Sequence, residues 1–104
     1  MRKGKRPPVH PGRIIKEHYL LPLSMGVTDL AKTLGVTRKT VSKIAGEHGS
    51  VTPDMALRLS WAFGTTPDLW LTLQGNYDLC RAVHGLREWM QVKPIAQAIG
   101  SLTA

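Results

Sequence analysis

Apolar residues recur at spacings of three and four through most of the chain, and no stretch alternates with the period of two that a half-buried strand needs. Between Pro11 and Leu21, the residues Ile14, Ile15, His18 and either Tyr19 or Leu21 fall on one stripe. This predicts a helix that Pro22 stops, with Pro11 suited to its first position. Leu30, Ala31 and Leu34 predict a helix of about two turns ending at Gly35, which takes a left-handed backbone readily. Thr37 is a good N-cap for a second short helix, Arg38 to Ala45, with Val41 and Ile44 or Ala45 inward and Gly46 at its end.

Thr52-Pro53-Asp54 and Thr66-Pro67-Asp68 repeat one start signal: a cap, a proline at the first position, then an acid at the positive end of the helix dipole. The first opens a helix with Met55, Leu57, Leu59, Ala62 and Phe63 as its apolar face and Gly64 as its stop. The second opens a longer helix carrying Leu69, Trp70, Leu73, Tyr77 and Cys80 and extending towards Leu86, with Gly75 as its weak point. Arg87 to Val92 reads as one more turn, broken by Pro94. Trp61, Trp70 and Cys80 are expected in the core. The fold class is all-α, with five or so short helices. Residues 1–9 read as a flexible basic arm, 10–79 as the helical domain, and 80–104 as a C-terminal tail, helical or extended.

Charge changes this picture. The 104 residues carry Lys+Arg 14 against Asp+Glu 7, a formal +7. Ten cations and three acids fall in residues 1–50 and four of each in residues 51–104, so the whole excess lies in the first half. A field of one sign at one end attracts a polyanion at long range. The length allows one domain and is short for most enzymes with a large substrate cleft. One cysteine excludes an internal disulfide framework, and the histidines at 10, 18, 48 and 84 have no metal-ligand spacing, so no metal or cofactor is expected. Ser42 and Ser60 lack a nucleophile-elbow context, and Gly46 and Gly49 do not make a phosphate loop. No apolar run approaches the roughly 18 residues that span a membrane. No apolar core follows the basic N-terminus, so no secretory signal is expected and a cytoplasmic location is the default.

The informative segment is Val27 to Ala45, two short helices joined by a tight turn at Gly35-Val36-Thr37. A small residue at Ala31 lets the second helix cross closely, Gly35 supplies a positive φ, and Val41 faces inward. This is the spacing of a helix-turn-helix. The second helix then exposes Arg38, Lys39, Thr40, Ser42 and Lys43, able to donate to base edges and phosphates together, with Thr37 and Thr40 expected at phosphate.

Asp29 to Ile44 resembles the Cro/C1-type, or Xre, helix-turn-helix of lambda-repressor-like proteins. His10-Pro11-Gly12, Val51 to Leu59, Gly64 to Gln74 and Asn76 to Leu79 resemble the HigA-type antitoxins more closely, over about His10 to Leu79. Ala45 stands where asparagine is common in that family, and Glu47 where a basic residue is usual. The resemblance implies an antitoxin of a type II toxin–antitoxin system, which silences a partner mRNA-cleaving RNase toxin and represses its own operon. The alternatives are a stand-alone Xre-type repressor with no toxin and an interaction module whose basic helix binds an acidic protein or RNA. Two-fold pairing would set two recognition helices one DNA turn apart, about 34–36 Å. A homodimer is therefore expected. Its contact is assigned to the apolar residues of the tail, Val83, Leu86, Trp89, Met90, Val92, Ile95 and Ile99, which exceed what a small domain buries alone.

Overall fold

Local capping chemistry sets where the helices begin. In this computed structural model, which describes residues 7–95, α1 (Pro11–Ile15) starts on His10, whose Nδ1 accepts from the Gly12 N–H. Helix α2 (Val27–Leu34) starts where the Asp29 carboxylate accepts from the Gly26 N–H at 3.2 Å. The three threonine caps lie at the starts of α3 (Arg38–Ala45), α4 (Pro53–Phe63) and α5 (Pro67–His84). Thr37, Thr52 and Thr66 accept from the N–H of Thr40, Met55 and Leu69 respectively. A single 3-10 turn, Glu88–Gln91, follows. Helix α5 runs through Gly75 unbroken and stops at His84, short of Leu86.

The core lies where these helices converge. Leu30, Leu34, Val41, Ile44, Met55, Ala56, Leu59 and Trp70 are buried together, with Ile15 and Leu20 from the first helix. Tyr19 stacks on Phe63 with ring centroids 3.8 Å apart, and Trp70 lies beside both. The buried Trp70 Nε1–H donates to Thr65 Oγ1 at 2.7 Å, so its one polar atom is satisfied. Long-range polar ties lock α5 to the start of α4. Gln74, 5% exposed, accepts the Val51 N–H at 2.8 Å and donates to Asp78 Oδ1 at 3.0 Å.

Three expectations are corrected. After α1 the chain continues as a π-helical turn, Lys16–Leu20, with the Leu21 N–H reaching back to Lys16 O. The extra residue in that turn rotates the stripe, so Leu20 is buried while His18 and Leu21 face solvent. On α4 the inward residues are Met55, Ala56, Leu59 and Ser60. Leu57 stands about 200° from Met55 around the helix and is exposed, as are Ala62 and Trp61, the last at 88%. Cys80 is half-buried rather than core. Residues 1–6 of the arm and residues 96–104, including Ile99, lie outside the described residues. Among the described residues no helix is long and apolar enough to cross a membrane.

Candidate nucleic-acid interface

Helices α2 and α3 form the hairpin that the spacing predicts. Ala31 and Val41 are each 3% exposed and pack in the crossing. Gly35 has φ 73° and ψ 32°, in the left-handed region, and the Val36 N–H closes α2 by bonding Ala31 O at 3.0 Å. A residue that sequence reasoning did not single out secures this corner. Arg58 of α4 donates from Nη1 to Leu34 O at 2.8 Å and Gly35 O at 3.3 Å, while its Nε meets Asp54 Oδ2 at 2.7 Å. It thereby satisfies carbonyls that the end of α2 leaves free. The sequence offers only the local i,i+4 pairing of Arg58 with Asp54, because the carbonyls it holds lie 24 and 23 residues away.

The outer face of α3 presents Arg38, Lys39, Ser42 and Lys43 to solvent, with Thr40 half-buried. Thr37 accepts from the Thr40 N–H at 3.2 Å, and the two hydroxyls meet at 2.9 Å. Arg38 is not wholly free. Its Nε donates to Thr28 Oγ1 at 3.1 Å, which ties the start of α3 to the start of α2. Its remaining guanidinium donors stay available. Thr28 was missed by the sequence reading and joins the same surface. Among the described residues the ion pairs are Arg13–Glu17 and Arg58–Asp54. Arg38, Lys39 and Lys43 are in neither, so no carboxylate among the described residues neutralises their charge.

The far end of α3 is held at two points. Gly12 presses α1 against it so closely that a Cβ at Gly12 would sit 1.7 Å from Ile44 O. His10 Nδ1 accepts from Gly12, which leaves Nε2 as the protonated donor to Gly49 O at 2.9 Å. The edge of the His10 ring also packs on Tyr77 of α5, with centroids 4.7 Å apart. The segment His10-Pro11-Gly12 is thus a joint between α1, α3 and α5.

The tail residues are mostly unburied. Val83 is half-buried, while Leu86, Trp89, Met90, Val92 and Ile95 are exposed. Leu79, Ala82, Val83 and Trp89 line an apolar groove of about 340 Å³. A second groove, about 450 Å³, runs between α2 and α4 beside Trp61. Cys80 and His84 share one side of α5, with Sγ and Nδ1 3.6 Å apart, a neighbour the sequence reading did not assign to the thiol. His84 Nδ1 also lies 2.8 Å from Cys80 O. A carbonyl only accepts, so Nδ1 carries the proton there and is no base for the thiol. No group of three or more potential metal ligands occurs among the described residues.

No protein-family model matches the chain. An uncharacterized HTH-type transcriptional regulator of Haemophilus influenzae is 42% identical over 82 residues, covering 79% of this chain and 77% of that protein. Antitoxin HigA-1 of Vibrio cholerae is 40% identical over 79 residues, covering 76% and 74%. The chain belongs to the HigA-type antitoxin family. Among solved structures, antitoxin GraA in complex with its operator superimposes with a TM-score of 0.76 at 40% identity, covering 91% of this chain and 97% of that one. The all-helical helix-turn-helix architecture of the HigA-type antitoxins is therefore that of this chain along nearly all of its described length.

Proposed function

We propose that this chain is an antitoxin that represses its own operon by binding operator DNA as a homodimer and neutralises a partner RNase toxin. It acts by binding, not by catalysis. The observation that carries the DNA half is the exposed set Arg38, Lys39, Ser42 and Lys43 on the open face of α3, its three cations in no ion pair among the described residues. That helix is held at a fixed crossing by Ala31, Val41 and Gly35. Arg38, through the guanidinium donors that Thr28 leaves free, Lys39, Ser42 and Lys43 donate to base edges in the major groove. The Thr28, Thr37 and Thr40 hydroxyls hold the backbone phosphates at the paired starts of α2 and α3. Family membership and the operator complex of a relative support this reading.

The toxin half rests on family membership and on charge. A basic toxin is repelled by the first half of the chain and accepted by residues 51–104, where acids and bases balance. Repression and neutralisation then use separate surfaces. Co-expression of an Arg38→Ala, Lys43→Ala chain with the neighbouring toxin gene tests this. The cells should survive while the promoter is derepressed. Growth arrest with folded, abundant antitoxin would show that the two surfaces overlap.

A further inference from the structure

The end of α3 contains a residue that stability alone does not explain. The Glu47 N–H bonds Ile44 O at 3.0 Å and the His48 N–H bonds Lys43 O at 2.8 Å, the paired bonds of a Schellman C-cap. Such a cap asks for glycine at the left-handed position. Here that position is Glu47, at φ 65°, while the neighbouring Gly46 sits at φ −86°, where any residue fits. The carboxylate is also at the negative end of the α3 dipole, which opposes it. The other two acids of the first fifty residues have partners: Glu17 pairs with Arg13, and Asp29 caps Gly26. Glu47 is exposed and forms no ion pair among the described residues.

The loop that holds it is over-determined. Gly49 N–H and His48 N–H share Lys43 O, His10 donates to Gly49 O, and Gly12 packs on Ile44 O. A strained backbone fixed by its surroundings beside a functional surface is a place to look for a role. Glu47 lies four residues beyond Lys43, exposed in the fixed loop that directly follows α3. A carboxylate there is repelled by every phosphate, and it gains only where a base edge offers it a donor. In the major groove both cytosine N4 and adenine N6 offer an amino donor, and a carboxylate favours cytosine because the N7 acceptor beside adenine N6 repels it.

Resting on the DNA-binding reading above, we infer that Glu47 is a specificity-determining residue that accepts a hydrogen bond from a cytosine amino group at the edge of each half-site. Its charge at the same time disfavours binding to any other sequence.

The test uses the full chain, a duplex from the region immediately upstream of its coding sequence, and a scrambled duplex of the same composition. Glu47→Gln keeps the size and backbone demand of the side chain and removes its charge. It should bind the scrambled duplex more tightly and lower the ratio of upstream to scrambled affinity about ten-fold or more. Among single base-pair substitutions of the upstream duplex, one C·G position per half-site should matter to the parent and not to a Glu47→Ala chain, which lacks the acceptor that glutamine retains. Equal gains on both duplexes would make Glu47 a general electrostatic load and overturn the assignment, as would no change on either. A parent chain with no preference for the upstream duplex would overturn this inference together with the DNA-binding reading. A surviving preference that Glu47→Gln leaves intact sinks the inference alone. Glu47→Gly should raise the thermal midpoint by several degrees by relieving the left-handed strain. A midpoint no higher than the parent's would remove the premise.

Discussion

Gly35 and Gly12 are fixed by different physics, and substitution separates the two. Gly35 needs its left-handed backbone at φ 73°, and an added Cβ would also lie 3.2 Å from Arg58 Nη1, the flexible end of a side chain. Gly12 is limited by room, since the obstruction 1.7 Å away is a backbone carbonyl of α3. Gly35→Ala should cost about 1–2 kcal/mol, the penalty of the left-handed region for a residue with a Cβ. Gly12→Ala must move α1 away from α3 and should cost at least as much as overpacking a core, about 1–3 kcal/mol or more. Denaturant titrations of both variants check this ordering; a Gly12→Ala chain as stable as the parent would contradict the close approach. The sequence made Gly35 legible, because a glycine after an apolar stripe is a local signal. It hid the packing role of Gly12, because the contact with Ile44 spans 32 residues of sequence.

At the scale of elements, the same division between local and distant information holds. Thr37, Thr52 and Thr66 cap α3, α4 and α5 because a threonine before a helical pattern acts within three residues. The stripes of α1 and α4 were misassigned in part. A π-helical turn rotates the first, and on the second Leu57 and Trp61 are apolar residues left on an outer face. Hydropathy counts such residues as inward wherever they fall. The Gln74 latch is another distant tie, joining α5 to the residue before the cap of α4. Gln74→Leu keeps roughly the volume but leaves the buried Val51 N–H without a partner. It should lower stability by about 1–3 kcal/mol. A loss below about 0.5 kcal/mol in chemical denaturation would mean that α4 and α5 are held by packing alone.

At the scale of the whole molecule, the charge asymmetry and the exposed apolar tail point to two different contacts. The proposed homodimer places its contact on the end of α5 and the 3-10 turn, where Leu86 is 85% and Trp89 51% exposed. Leu86→Glu with Trp89→Glu should run as a monomer in light scattering while α1 to α4 stay folded. Operator affinity should fall about 100-fold or more, because two linked half-sites become independent. A variant still dimeric would move the interface elsewhere. Ile99, assigned to the same contact, lies outside the described residues.

Helix α3 is the element proposed to read sequence. Its most direct test is the affinity of the Arg38→Ala, Lys43→Ala chain for the upstream duplex and for a scrambled duplex at one fixed salt concentration. The parent should prefer the upstream duplex by a factor on the order of 1,000 or more. The double variant should lose most of that preference, at about 1–3 kcal/mol for each base contact removed, and should weaken far less on the scrambled duplex. A folded double variant that keeps the full preference would contradict α3 as the reading helix.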